Sequence, residues 1–450
     1  MFKAVFDQCP TQIAIIDQEQ SLSYAQLNAY VNSAVNHFQN MGIQKNDTIS
    51  ILSENTTSYL ITLCALWRMG AVVCLLNVRL PDKIIEAQTK YIQSKYLLKS
   101  KNIDYKNYTL HENNPCNTFS INQIATILFT SGSTGIPKAA VHTFANHCFS
   151  AKNSNINIPI KRGDRWLLSL PLYHVGGLSI FFRILLGQGT VVIPKNKNDI
   201  GSLIVLHKIT HISLVPTQLQ KLLQENINIT SLKMVLLGSG PISENLLNEA
   251  RKKSWPIYKT YGMTEMSSQI ATAHKKFAEA KIFSGNKVKI SKKGEVLIKG
   301  NTLFKGYLQK NNKIDRSIDS EGWFATGDLG SITKDGFLNI SGRKDNMFIS
   351  GGENIQPEEI EKYLCQIDGI QNAIVIAAAD KKFGFRPKAF VQLEKKSKLK
   401  TKDIIYHLST HLPKFKCPDK FFLWPKKMTN KSIKIKRSDF KNLHDIVLLS

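Results

Sequence analysis

Apolar residues fall at three- and four-residue spacing from Tyr24 to Asn40 and again from Tyr59 to Met69, which predicts two helices, the second ending at Gly70-Ala71. Between them, Thr48 to Leu52 reads as a short strand. The same alternation returns at Val192 to Pro216 and at Met234 to Leu237, so the chain predicts α/β layers with largely parallel strands. From Lys287 to Ile340 the texture changes to short strands and glycine turns, as in Gly294-Glu295-Val296-Leu297-Ile298 and Asp335-Gly336-Phe337-Leu338, which predicts a small β-rich subdomain. After Gly342-Arg343-Lys344-Asp345 a new unit begins, with a helix from about Pro357 to Cys365 and a strand from Ala373 to Ala377. The expected fold class is therefore α/β. A large N-terminal domain of layered α/β sheets plus the β-rich subdomain spans residues 1–344, and a small α+β C-terminal domain spans 345–450.

At 450 residues the chain exceeds one ordinary core, and 42% hydrophobic with 21% charged residues predicts a soluble globular protein. Asp7, Asp17 and Glu19 interrupt the first apolar stretches, which argues against a signal peptide. The longest apolar region, Leu167 to Pro194, contains His174, Arg183 and several glycines, which argues against a membrane span. A cytoplasmic location is expected. Seven scattered cysteines (Cys9, Cys64, Cys74, Cys116, Cys148, Cys365, Cys417) form no C-x-x-C pair, which favours reduced thiols over structural zinc.

The net charge of +26 raises a nucleic-acid reading. From Lys381 to Ser450 there are 19 Lys and Arg against 5 Asp and Glu, so +14 of the excess sits at the C-terminus. Its densest run, Lys395 to Lys400, lacks the interleaved aromatic rings of a single-strand platform. A solvated lysine face, attractive to a nucleotide or coenzyme A, fits better.

Candidate chemistry begins at Thr130-Ser131-Gly132-Ser133-Thr134-Gly135-Ile136-Pro137-Lys138, directly after the apolar run Ala125 to Phe129. Small residues let the backbone close around an anion, the hydroxyls and N–H groups donate to phosphate oxygens, and Lys138 adds charge. Ala139 follows the lysine where a Walker A loop has Ser or Thr, so a GTPase or kinase reading loses ground. Tyr261-Gly262-Met263-Thr264-Glu265 places a stacking ring, a flexible backbone, a hydroxyl and a Mg²⁺-compatible carboxylate within five residues. In Thr326-Gly327-Asp328 the carboxylate suits two ribose hydroxyls, or else a turn or helix cap, and Gly342-Arg343 offers a fork to ribose or phosphate, or a surface ion pair. Arg183 lies inside the run Leu178 to Leu186, where a charge is costly unless paired, and snorkelling to the surface is the alternative.

In this order, the motifs resemble those of the adenylate-forming superfamily, which includes acyl-CoA synthetases, firefly luciferase and nonribosomal adenylation domains. The resemblance covers essentially the whole chain. Pro171-Leu172-Tyr173-His174-Val175-Gly176-Gly177-Leu178-Ser179, Met266-Ser267-Ser268-Gln269 after Glu265, and Lys138-Ala139-Ala140-Val141-His142 look most like the o-succinylbenzoate–CoA ligases of menaquinone biosynthesis. The resemblance implies an AMP-forming acid–thiol ligase using ATP, Mg²⁺ and coenzyme A, with an aryl dicarboxylic acid as substrate. It implies that Tyr261, Gly262 and Gly238-Ser239-Gly240 border adenine, that Asp328 and Arg343 hold ribose, that Glu265 holds Mg²⁺, and that Thr264 assists. Arg183 then meets the second carboxylate, His174 closes the acyl pocket unless it is a buried hydrogen-bonded histidine, and Ser268 and Gln269 line that pocket. Gly351 and Gly352 face coenzyme A, and Asp345 is the hinge of a mobile C-terminal domain. For the catalytic lysine, Ile433-Lys434-Ile435-Lys436-Arg437 favours Lys434, while Lys431 keeps the common spacing from Pro425. Small-molecule partners without nucleic acid or membrane span are expected, and a homo-oligomer is compatible. Another aryl- or acyl-CoA synthetase, an adenylation domain loading a carrier protein and a basic nucleic-acid-binding protein are the competing readings.

Overall fold

The computed structural model describes residues 6–108, 120–130, 137–194, 199–225, 227–238, 240, 242, 244–273, 280–394, 397, 399–425, 437–441, 443 and 447–449. Two of the predicted elements lie where the pattern put them: helix Tyr24–Asn40 and strand Thr48–Leu52. Ser23 caps that helix by accepting from Gln26 N, and Gln26 reaches back to the cap, so the first turn satisfies its own N–H groups. The second predicted helix runs Thr57–Arg68. All of its residues but Ser58 are buried, as its unbroken apolar character requires.

Among the described residues two large sheets form. One runs Ile314–Asp315, Gly306–Leu308, Lys138–Thr143, Ile124–Thr130, Val72–Leu75, Thr48–Leu52, Tyr96–Lys99 in spatial order. The other has thirteen strands. Its parallel part passes through Thr190–Val192, Arg165–Leu167, His211–Leu214, Met234–Leu237 and Ile257–Met263. At Ser268–Thr272 the pairing turns antiparallel and stays so through Ala280–Ile282, Phe337–Arg343, Phe324–Ile332, Glu295–Gly300 and Asn286–Ile290. The β-rich segment is thus mostly an antiparallel arm of the larger sheet, while Gly306–Leu308 crosses to the smaller one and pairs with Lys138–Thr143.

Helices Tyr24–Asn40, Thr57–Arg68, Phe144–Asn157 and Val175–Gly187 share one core with strands of both sheets, through residues such as Leu27, Trp67, Phe144, Phe181, Ile49 and Leu236. Burial of this apolar surface is the main force joining the layers. A separate core at the C-terminal end packs helices Pro357–Leu364 and Thr401–Ser409 on the three strands Ile370–Asp380, Gly384–Leu393 and Lys420–Leu423. Between the two cores the chain turns at Lys344–Asn346. No helix among the described residues is long and apolar enough to cross a membrane.

Candidate active site

The predicted phosphate loop joins two paired strands of the smaller sheet. Thr130 and Lys138 are register partners, and the Thr130 hydroxyl donates to Lys138 O at 3.4 Å. Ser131, Gly132, Ser133, Thr134 and Gly135 lie outside the described residues. The Lys138 ammonium sits over the Tyr307 ring, 4.9 Å from its centroid. Tyr307 in turn donates to Glu265 Oε1 at 2.6 Å. Burial, then the Glu265 carboxylate, pushes the Tyr307 hydroxyl pKa up, so it stays a donor. Tyr307 therefore ties the loop's lysine to the carboxylate of a motif 42 residues earlier in the chain.

That motif spans strand Ile257–Met263 and the turn Thr264–Met266. A Cβ at position 262 would stand 1.9 Å from Ser268 O, so the close approach of the two strands requires Gly262. Thr264 O accepts from His142 Nε2 at 2.7 Å, which fixes the proton on that nitrogen. Burial holds the His142 pKa down to about 4, and the imidazole stays neutral. Glu265 is itself buried, and no group of three His, Cys, Asp or Glu among the described residues could hold a metal. One buried carboxylate, linked through Tyr307 to the lysine that ends the expected phosphate loop, is a donor that suits Mg²⁺, which takes its remaining oxygens from phosphates and water.

Asp328 and Arg343 are register partners on neighbouring antiparallel strands. Asp328 Oδ1 accepts from Arg343 Nη1 at 3.1 Å and Oδ2 accepts from the Tyr261 hydroxyl at 2.6 Å. The other arm of Arg343, Nη2, reaches Asp345 Oδ2 at 3.0 Å. Gly327 has φ +73, and a Cβ there would press within 2.8 Å of Arg343 Nη2. Four residues singled out in the sequence thus form one connected group, running from Tyr261 through Asp328 and Arg343 to Asp345. Gly238 ends strand Met234–Leu237, where a Cβ would meet Thr260 Cγ2 at 2.7 Å; Gly240 has open space, and Ser239 lies outside the described residues.

Arg183, in helix Val175–Gly187, is fully buried. Its Nη2 donates to Ser268 Oγ at 3.0 Å, Nε has no partner, and none of the ion pairs of the described residues involves it. Burial alone pushes its pKa down to about 9. The alternative of an arginine snorkelling to the surface does not hold. The Ser179 hydroxyl donates to Gly176 O at 3.0 Å and lies 3.3 Å from Ser268 Oγ. Gln269 turns its Nε2 to Thr272 Oγ1 at 2.7 Å and Thr260 Oγ1 at 3.2 Å, leaving Oε1 buried without a partner among the described residues. His174 is exposed at the start of the Arg183 helix, which removes the buried-histidine alternative.

In the C-terminal unit, Gly351 (φ +58) and Gly352 (φ +91) form the tip of hairpin Phe348–Ser350 and Glu353–Ile355. There Gly351 N donates to Phe383 O at 3.0 Å. Lys431 and Lys434, and the lysines at 395, 396 and 398, lie outside the described residues. Sequence reasoning missed Tyr307, His142 as the partner of Thr264, and Trp166 beside Arg183. Each acts through a contact with residues distant in the chain, and an aromatic or histidine inside an apolar stretch carries no local mark of it.

The chain is 33% identical over 470 residues to the 2-succinylbenzoate–CoA ligase of Bacillus subtilis (strain 168), covering 96% of this chain and 95% of the relative. Its fold matches the solved o-succinylbenzoate CoA synthetase of Bacillus subtilis in complex with the acyl-adenylate intermediate OSB-AMP, with TM-score 0.86, 31% identity and 98% of each chain covered. The complex of that synthetase with ATP and magnesium ion gives TM-score 0.85, 31% identity, and 98% and 99% coverage. A double mutant of it bound to the product analogue OSB-NCoA superposes less closely, at TM-score 0.72, with 32% identity and 98% of each chain covered. The AMP-binding enzyme model matches residues 2–308 and the AMP-binding enzyme C-terminal domain model matches 359–434, so this chain belongs to the AMP-binding enzyme family.

Proposed function

We propose that the protein is an AMP-forming 2-succinylbenzoate–CoA ligase, which uses ATP, Mg²⁺ and coenzyme A to make 2-succinylbenzoyl-CoA in menaquinone biosynthesis. The observation that carries the acid's identity is Arg183. A fully buried guanidinium that, among the described residues, donates to a serine hydroxyl and meets no carboxylate is built for an anion that arrives with the substrate. An aryl acid with a second carboxylate supplies it, whereas a fatty or simple benzoic acid does not. The 2-succinylbenzoate–CoA ligase relatives, aligned over nearly the whole chain, support the same reading.

In the first half-reaction an oxygen of the succinyl carboxylate attacks the α-phosphorus of ATP. The bond from that phosphorus to the bridging oxygen breaks, pyrophosphate leaves, and an acyl adenylate remains. The loop from Thr130 to Lys138 restrains the phosphates, Asp328 and Arg343 hold the ribose, and Tyr261 with Gly238-Ser239-Gly240 and Gly262 borders adenine. Glu265 would hold Mg²⁺, which when bound would neutralise phosphate charge. Lys434 adds a cation where charge develops, Thr264 assists, and His174, Ser268 and Gln269 complete the acid pocket. In the second half-reaction the coenzyme A thiolate attacks the acyl carbon, AMP leaves with the shared electron pair, and the thioester forms.

We assign residues 1–344 to the domain that binds ATP and acid. Residues 345–450 form a mobile domain that turns about Asp345 to exchange Lys434 for the hairpin tip Gly351-Gly352. The lower superposition score with the product-analogue complex of the relative, at equal coverage, is what a second domain arrangement would produce, and it supports this reading. The enzyme acts in the cytoplasm on small molecules, and as a homo-oligomer if its copies associate. A panel of aryl and acyl acids in a pyrophosphate-release assay, with and without coenzyme A, tests the proposal. Thioester of the mass of 2-succinylbenzoyl-CoA is the expected product. Turnover without coenzyme A, or preference for a monocarboxylic acid, would reject it.

A further inference from the structure

We propose that Trp166 is a specificity-positioning residue, an indole platform that holds the Arg183 guanidinium where it meets the ring carboxylate of the acid. The inference rests on the assignment of Arg183 to that carboxylate. Trp166 lies on strand Arg165–Leu167 in the parallel part of the larger sheet, while Arg183 descends from helix Val175–Gly187. The Arg183 Cζ sits over the indole, 5.4 Å from its centroid. Both side chains are fully buried. A cation over tryptophan in a dry setting is the strongest form of this contact.

Two further observations separate a platform from mere packing. The Trp166 indole N–H is buried with no hydrogen-bond partner among the described residues. An orphaned N–H is costly, and phenylalanine would fill the core without it, so volume alone does not account for tryptophan here. Second, the indole is itself fixed. His211, its register partner on the next strand, stacks on it with centroids 5.3 Å apart and planes at 27°. The His211 Nδ1 is bonded to Thr210 Oγ1 at 2.7 Å, and burial pushes the His211 pKa down to about 4 although Asp164 pulls the other way. His211 therefore stacks as a neutral ring and brings no second cation to the indole.

On the guanidinium side, Ser268 Oγ takes one N–H of Arg183. The stack and this serine together fix the arginine from two directions, so the guanidinium is held in place by the protein's own groups. Preorganisation of this kind appears as discrimination between acids rather than as activity in general.

The test compares kcat/KM for 2-succinylbenzoate with kcat/KM for 4-oxo-4-phenylbutanoate, the same acid without its ring carboxylate. Both are read by pyrophosphate release in the presence of coenzyme A on the full-length enzyme. Because the ratio comes from active molecules only, partial loss of folded protein cancels. Trp166→Leu is expected to lower the ratio about tenfold, and Trp166→Phe, which keeps a ring face, is expected to fall between Leu and wild type. Should the leucine variant not fold, Trp166→Met takes its place. Arg183→Gln serves as the reference for the underlying assignment. If Arg183→Gln collapses the ratio while Trp166→Leu or Trp166→Met leaves it intact, the platform is wrong and the arginine assignment stands. If Phe falls as far as Leu, the ring face is not what matters, and the platform is again wrong. If Arg183→Gln leaves the ratio unchanged, the carboxylate assignment fails and the platform with it.

Discussion

Tyr307 donates its hydroxyl to Glu265 Oε1 at 2.6 Å, and the same ring lies under the Lys138 ammonium. One tyrosine therefore holds both the carboxylate proposed to bind Mg²⁺ and the lysine that ends the proposed phosphate loop. Removing only the hydroxyl, as in Tyr307→Phe, leaves a buried carboxylate short of a donor, a loss of about 1.5–3 kcal/mol for a bond to a charged group. Adenylation, followed by pyrophosphate release, is expected to slow by about tenfold or more, and the Mg²⁺ concentration needed for half-maximal rate should rise. Glu265→Gln should cost on the order of 10² to 10³, and chelation by EDTA should stop the reaction. A Tyr307→Phe enzyme with wild-type rate and wild-type Mg²⁺ dependence would remove Tyr307 from the site.

Asp328 is held by two donors of the protein itself, Arg343 at 3.1 Å and Tyr261 at 2.6 Å. These two donors orient the carboxylate proposed to meet ribose. Asp328→Asn keeps the shape but loses the charge proposed to accept two ribose hydroxyls. KM for ATP is expected to rise about tenfold to a hundredfold while kcat at saturating ATP changes less. Equal loss in kcat with an unchanged KM would place Asp328 in the chemistry rather than in nucleotide binding.

How much of this was readable beforehand depends on whether the governing interaction is local. Helix Tyr24–Asn40 and strands Thr48–Leu52 and Met234–Leu237 agree with the pattern because burial of one face is written into neighbouring residues. The pairing of Tyr307 with Ala140 is not written there. It depends on a strand leaving one sheet's run of sequence to join another sheet, a choice set by tertiary register. The motifs Thr130 to Lys138, Tyr261 to Glu265 and Thr326 to Asp328 were legible as chemistry because their residue types are unusual together. Trp166, His142 and Tyr307 are ordinary core residues by type, and only their contacts give them a role.

Three buried histidines set an acid limb to stability. Burial holds the pKa of His142 and His211 down to about 4 and that of His147 well below its usual value. Unfolded histidines take up protons near pH 6.5. Their stabilisation is thus complete above that pH and is lost progressively as pH falls toward 4, by about 1 kcal/mol per group at pH 5.5. Glu361 works in the opposite sense. Burial raises its pKa to about 8 despite the pull of Arg437, so its contribution is full below pH 4.5 and is lost as pH rises through 8. These groups together predict greatest stability near pH 6.5, checked by urea titrations from pH 5 to 8.5. Glu361→Gln should flatten the alkaline limb and leave the acid limb in place. An unchanged alkaline limb would mean that Glu361 is already ionised in the native protein.

The proposed catalytic role of Lys434 and the proposed hinge at Asp345 make opposite predictions for the two half-reactions. Arg437, three positions after Lys434, is anchored to helix Pro357–Leu364 by Glu358 at 2.9 Å and Glu361 at 2.8 Å. Glu358 also accepts from Asn346 at 2.5 Å, beside Asp345, so Arg437 and the turn at Lys344–Asn346 share one support. If Lys434 serves the transfer to the α-phosphate, Lys434→Ala should lower pyrophosphate release on the order of 10² to 10³. Conversion of presynthesised acyl adenylate and coenzyme A to thioester should stay near wild type in that variant, and Lys431→Ala should affect neither step. Asp345→Pro, which fixes the backbone at the turn, should spare pyrophosphate release in a single turnover and slow thioester formation. Pyrophosphate release that survives Lys434→Ala but fails in Lys431→Ala would move the catalytic role to Lys431. Thioester formation at full rate in Asp345→Pro would show that the second step does not need rotation at this position.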